Sequence, residues 1–427
     1  NLQIGLGNGN VSTNISIGAT TNFGGSTTGV NNISIGSGSM LNLTNGAHNI
    51  ALVYQTLRQN TTAGCNIALG FCSLRNTTTG GNNIAIGSQT LVANTTGVNN
   101  FAAGFQSLAN NTSGARNIGL GPFSLKANNT GNNNIAFGGS ALYSNTFAQN
   151  NFAAGYYALR NSTTAYNNTA IGLCSQYKTT TGQNNTSIGN RSLCNNTTGN
   201  HNVAIGCYAL RNNTTANYNI GIGREALLCN NTGTNNIALG AQALFRNKTS
   251  YNVALGSSAL KNNTYGSNNF AVGKLSLYAN TYGGYNTALG AYTLRSNTTG
   301  NNNTAIGSRA LFYNSSGCNN TAIGINALRY NTTGCYNAAI GINALRCNTT
   351  GYDNIAIGQT ALRNNTTGGV NTAIGRNNAC SNTTGNNNTA IGYSNLRNNS
   401  SGGVNVAIGN NNIINGTSNY NVAIGTR

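Results

Sequence analysis

Apolar and polar positions alternate along this chain in a pattern seventeen residues long that returns from one end to the other. In Asn303-Thr304-Ala305-Ile306-Gly307-Ser308-Arg309-Ala310-Leu311 the apolar residues fall in two short runs. Asn314-Ser315-Ser316-Gly317-Cys318-Asn319 then leads into the next copy, Asn320-Thr321-Ala322-Ile323-Gly324. The leading Asn stands at 1, 14, 32 and 49 and then almost every 17 residues to 405 and 421. The steps that differ are 13 and 18 at the start, and 16 before Asn252 and before Asn421. A fixed short period marks a stacked, quasi-one-dimensional architecture, in which each repeat buries its apolar positions against its neighbours. The pattern predicts a single all-β array over 1–427, a parallel β-solenoid or β-roll of about 26 rungs. Residues 1–53 form irregular first rungs and 54–427 the regular 17-residue repeats.

With the Gly of Ala-Ile-Gly as position 0, positions −3 and −1 hold Ile, Val, Phe, Thr or Leu, as in Ile84 and Ile86 or Phe270 and Val272. Residues two apart share one side of a strand, and that side is expected to face the interior. Position +4 is Leu in most repeats, with exceptions at Gln176 and Ala379, and is expected to form a second apolar column. Two strands per rung follow, at −4 to −1 and at about +2 to +6, and at ~4.8 Å per rung the array is on the order of 120 Å long. Position −2 is almost always Ala, as in Ala51, Ala305, Ala322 and Ala356. By alternation it points away from the −3/−1 side. A uniformly small row there means either crowding within the coil or packing against neighbouring chains around an axis. Asn331-Thr332-Thr333-Gly334 has turn chemistry, with side chains that bond nearby backbone and a Gly that accepts positive φ. The leading Asn is expected to stack on its equivalents in an amide ladder.

Composition narrows the class. Only 5% of residues are charged, against about 25% in ordinary soluble domains. The strict phase of the apolar residues nevertheless argues against disorder. The net charge of +19 arises because acids are nearly missing, with only Glu225 and Asp353 against 21 basic residues. Spread over a long array, that is a modest charge density, and nucleic acid is not the expected partner. No signal peptide or membrane span is visible. Asn1 and Asn421 both stand in phase with the repeat, as they would in a processed product or a piece of a longer array.

The motif Asn-x-Ala-Ile-Gly-x-x-Ala-Leu resembles the head repeats of trimeric autotransporter adhesins, and its 17-residue form is similar to repeat arrays of phage, viral and bacterial surface fibres. The resemblance implies a left-handed parallel β-roll, with three chains around a common axis. The family's usual repeat is shorter, and the Asn-Thr-Thr-Gly turn lengthens this one. Neither a heptad stalk nor a C-terminal membrane anchor is visible in this sequence.

Candidate chemistry lies in columns. Position +5 carries Arg58, Arg75, Lys126, Arg160, Arg211, Lys261, Arg295, Arg329, Arg346, Arg363 and Arg397. Stacked like charges about 5 Å apart repel, so they are solvated, keeping the array soluble, or in contact with acidic glycans or another anionic surface, helped by Tyr313, Tyr330 and Tyr352, or stacked on the polar face of a neighbouring chain. Cys318 and Cys335 are one period apart in the same phase, close enough for a disulfide in principle. Ten cysteines in a low-charge chain suit an extracellular setting. Asn-x-Ser/Thr sequons recur, including Asn60, Asn94, Asn314, Asn331 and Asn348. They are either a by-product of the turn composition or, in a eukaryotic secretory route, glycan sites. With two His and no CxxC spacing, no metal site or cofactor is expected. Glycoside hydrolysis needs two carboxylates about 5–10 Å apart. Glu225 and Asp353 stand many rungs apart, so an enzyme is not expected.

The expected function is that of a structural or adhesive fibre on a cell or virion surface, homo-oligomeric as a trimer or an end-to-end filament. A subunit of a self-assembling extracellular filament is one alternative, and an ice-binding solenoid is the other. Against it, the Thr pairs are adjacent and sit in a turn.

Overall fold

The computed structural model describes residues 4–6, 13–20, 27–413 and 416–426. The chain divides into two compact units, Asn1–Asn217 and Tyr218–Arg427. In the first, β1 (Ile4–Leu6) precedes twelve three-residue strands that run from β2 (Ile15–Ile17) to β13 (Val203–Ile205). Successive strands from β2 onward pair in parallel. Phe152, Ala153 and Ala154, for example, lie opposite Thr169, Ala170 and Ile171. The second unit carries β14 (Ile220–Ile222) to β26 (Val422–Thr426) in the same parallel order. The two 16-residue steps are taken up in turns and leave the strand register intact, with Ile237 opposite Val253 and Val406 opposite Val422.

Each unit is thus a parallel β-solenoid, about 25 rungs in all rather than 26. The difference is the first repeat. Strand β1 pairs with β2 antiparallel, Ile4 opposite Ile17 and Leu6 opposite Ile15, so it is not a rung of the coil. Asn1 lies outside the described residues. No helix among the described residues is long and apolar enough to cross a membrane.

The strand is turned the opposite way from the expectation. Ala305, Ala322 and Ala356 at −2 are fully buried, while Ile86 and Phe270, at −1 and −3, are each 40% exposed. The interior is too narrow for two rows of large side chains. Position −2 meets +3 and +4 across the coil: a Cβ added at Gly119 would lie 2.5 Å from Ser107 Oγ and 3.5 Å from Leu108 Cδ1. Where −2 is Ser it meets a Ser at +3, as Ser34 meets Ser39 and Ser187 meets Ser175. The small row is therefore crowding within the coil, and the larger apolar residues face outward.

Only one strand forms per rung. Positions +2 and +4 both adopt left-handed backbone, with φ of 58° at Asn326 and 50° at Leu328, so the expected second strand is a chain of turns. It remains bonded between rungs, Leu328 N–H to the Ala344 carbonyl at 3.0 Å and Tyr330 N–H to the Arg346 carbonyl at 3.0 Å. A left-handed Leu is intrinsically unfavourable. Full burial of Leu328 and its equivalents offsets that. Gly at position 0, replaced only by Val53 among the described rungs, is favoured for another reason. Gly324 has φ of +133°, and a Cβ there would lie 2.6 Å from the Gly341 carbonyl oxygen of the next rung.

Two buried amide ladders fill the corners. In the expected one, Asn320 Nδ2 donates to Asn303 Oδ1 at 3.1 Å and to the Gly334 carbonyl at 2.8 Å. Its Oδ1 accepts both the backbone N–H and Nδ2 of Asn337. The second ladder uses the turn Asn: Asn331 Nδ2 donates to Asn314 Oδ1 at 2.8 Å and to the Gly334 carbonyl at 2.9 Å. A third, short ladder replaces Ala or Ser at +3 near the C-terminal end, with Asn395 N–H on Asn378 Oδ1 and Asn412 N–H on Asn395 Oδ1. The second ladder breaks where the turn Asn is replaced by Thr77, Ser162 or Thr179. Unpartnered buried oxygens gather at these breaks, at Thr77, Asn145, Ser162 and Thr179.

Three stability changes follow, each read by urea denaturation. Asn320→Ala orphans the buried Asn337 N–H and is expected to destabilise by about 3 kcal/mol. Ser162→Asn with Thr179→Asn restores the broken ladder and is expected to stabilise by about 1 kcal/mol. Ala322→Leu forces a large side chain into the interior and is expected to destabilise by about 3 kcal/mol. A loss below about 0.5 kcal/mol there, the range of surface substitutions, would contradict the inward placement.

Candidate functional site

Because −2 faces inward, −3 and −1 form a continuous outward strand face. In the second unit Leu239, Phe270, Ile340, Ile355, Ile357 and Ile374 leave 37–41% of their surface exposed, and in the first Ile67, Leu69, Ile86, Phe101, Phe137 and Ile188 leave 36–41%. No described −3 or −1 position carries a charge. Apolar surface repeated on rung after rung exceeds the scattered exposure normal for a monomer. This face was missed in the sequence because the larger residues were placed inside.

The +5 column is a cation–aromatic stack rather than a bare row of charge. Aromatic residues occupy the same position on intervening rungs. Lys126 lies 5.6 Å and Arg160 5.1 Å from the Tyr143 ring between them. In the second unit Lys261 lies 5.9 Å from both Phe245 and Tyr278, and Arg295 lies 5.8 Å from Tyr278 and 5.5 Å from Phe312. Arg329 lies 6.0 Å from Phe312 and 5.1 Å from Tyr330, and Arg346 lies 5.5 Å from Tyr330. Tyr313 stacks on Tyr330 at 5.3 Å. Each such contact contributes about 0.5–1 kcal/mol. The expected repulsion is reduced by interleaving, a pattern that reading every occupant of the column, and not only the basic ones, would have revealed. The Nε atoms of Arg295, Arg329 and Arg346 are buried without a protein hydrogen-bond partner.

Arg363 and Arg397 are different. They stand exposed on either side of Cys380. With Thr360, Asn364 and Asn377 they line a recess of ≈190 Å³. Thus the structure sets Arg160, Arg211, Arg295, Arg329 and Arg346 against rings and Arg363 and Arg397 around an open polar recess. Of the two carboxylates, Glu225 contacts Arg224 at 3.7 Å and accepts from Gln242 Nε2 at 2.7 Å.

Cys318 and Cys335 meet with their Sγ atoms 2.7 Å apart as free thiols. The hydrogen bond to Cys335, and then burial, push the Cys318 thiol above its ordinary pKa. Among the described residues no group of three or more His, Cys, Asp or Glu side chains is placed to hold a metal ion.

The sequons are corrected by burial. Asn60, Asn94, Asn314, Asn331 and Asn348 are fully buried. They belong to the second amide ladder, in which Asn348 Nδ2 bonds Asn331 Oδ1 and the Gly351 carbonyl. A glycan on any of them is incompatible with the folded coil. Exposed sequon Asn side chains lie elsewhere, at Asn76, Asn110, Asn364 and Asn398.

No protein-family model matches this chain, and no curated protein matches it.

Oxidised glutathione is expected to close the Cys318–Cys335 pair, the two thiols giving up two electrons and two protons as the glutathione disulfide is reduced. Non-reduced peptide mapping should show that cross-link, and Cys335→Ser should abolish it. A wild-type map without the cross-link would contradict the placement.

Proposed function

We propose that the chain is a structural and adhesive fibre protein of a cell or virion surface, left-handed in its coil and built as a homotrimer whose copies pack their apolar strand faces together. One observation carries the reading: the uncharged outward face, apolar at −1 on every described rung and apolar or Thr at −3. A second copy of this chain has the same rung spacing, so within each unit its outward columns match those of the first. A globular partner lacks that periodic match. The resemblance of Asn-x-Ala-Ile-Gly to autotransporter head repeats supports the same arrangement, with the outward Ile and Val, not the Ala row, as the contact. The cation–aromatic column and the recess between Arg363 and Arg397 lie on the opposite stretch of each rung and supply polar adhesion, including to anionic glycans.

Ice binding is the second reading, and one observation favours it. Thr287, Thr304 and Thr321 stand in register on consecutive strands of the outward face, so the adjacent turn threonines are not the only Thr rows. Thermal hysteresis in the purified chain would support it.

Light scattering on the purified chain tests the first reading. A mass of three 43.9 kDa protomers is expected. Ile340→Lys with Ile357→Lys should reduce that mass to one protomer and leave the circular dichroism unchanged, because both side chains point away from the coil interior. A wild-type monomer, or a variant that keeps the trimer mass, would sink the reading. An open-ended mass distribution would replace the trimer with an end-to-end filament.

A further inference from the structure

The residue just before each leading Asn has left-handed backbone throughout the second unit. Asn suits that conformation, and the position holds Asn235, Asn268 and Asn302 with φ of 56–58°. On the alternate rungs it holds Tyr218, Tyr251 and Tyr285 with φ of 58–62°. Tyr is a poor left-handed residue, and these rings gain little from burial, since 56, 59 and 64% of their surface stays exposed. At the neighbouring corner Tyr265 and Tyr282, 55 and 61% exposed, stack with ring centroids 4.9 Å apart. The coil imposes this backbone at the position on every rung of the second unit, and the rings it carries are held on the surface with their apolar faces accessible to a ligand.

We infer that Tyr218, Tyr251 and Tyr285 form a binding platform for an extended, neutral β-1,4-linked polysaccharide. The three occupy equivalent positions two rungs apart, so their rings recur about every 9.6 Å. In an extended β-1,4-linked chain alternate sugars present the same face, and the two-sugar repeat is comparable to that spacing. The apolar C–H face of a pyranose packs on an aromatic ring. The exposed amides of Asn235 and Asn268, between the rings, and of Asn302, on the rung beyond Tyr285, supply donors and acceptors for sugar hydroxyls. None of the six positions is charged, which fits a neutral glycan and separates this platform from the cation–aromatic column. The coil holds the rings at fixed intervals, so several weak contacts act together. The inference deepens the adhesive reading above by naming a ligand class.

The test is co-sedimentation of the full chain with microcrystalline cellulose and with chitin. The wild type is expected to sediment with at least one, and the stronger of the two identifies the sugar. Tyr251→Asn with Tyr285→Asn installs the residue that the fold already uses at this position, so the coil is retained, as circular dichroism will check. Its binding is expected to fall at least tenfold. Tyr336→Asn, at an equally exposed equivalent position outside the alternating run, should bind as the wild type does. Failure of the wild type to sediment with either polymer would overturn the proposal. So would a double variant that binds unchanged, or an equal loss in Tyr336→Asn. A chain that trimerises but binds neither polymer would overturn this proposal alone.

Discussion

Everything in this coil depends on the hydrogen bonds of buried asparagine amides from one rung to the next. Each side chain has both donors and acceptors, so it can receive from the rung on one side and give to the rung on the other. Asn320 does both, and also satisfies the backbone N–H of Asn337 and the Gly334 carbonyl. A buried corner would otherwise leave these groups unpaired. The arrangement works only if every rung supplies the same residue in the same phase, which explains why the spacing is held so strictly. Where it lapses, at Ser162 and Thr179, unpartnered oxygens appear.

The ladders also decide which side of the strand faces in. Two amides and one Leu occupy most of each rung's interior, and only Ala, Ser or Gly fits at −2. Ile, Val and Phe are then displaced to the outer face. The usual assignment of large apolar residues to the core fails here because the core is made largely of amides. In the proposed homotrimer, a copy with the same pitch covers this outer face rung by rung.

The repeat, the parallel stacking, the Leu column and the leading Asn ladder were legible from spacing alone, since period fixes which residues lie above one another. The face of the strand was not, because a strict alternation is equally compatible with either side facing inward. The second ladder was hidden by its own chemistry: Asn331 and Asn348 read as exposed turn residues and sequons, whereas both are buried. The left-handed Leu328 could not be foreseen either, since Leu has no preference for that backbone and adopts it only because burial offsets the strain. Of the candidate surface, the basic column was legible in position but not in environment, because the intervening Tyr143, Tyr278 and Phe312 were not read with it.

Hydrogen exchange of side-chain amides, followed by NMR on chain labelled with nitrogen-15 at asparagine, tests the ladder most directly. Free Asn side-chain amides exchange quickly with water. If the ladders lock the rungs, a large set of Nδ2 protons, those of Asn320 and Asn331 among them, will exchange only as slowly as the coil itself opens. Side-chain amides that all exchange at the rate of free asparagine would contradict the account.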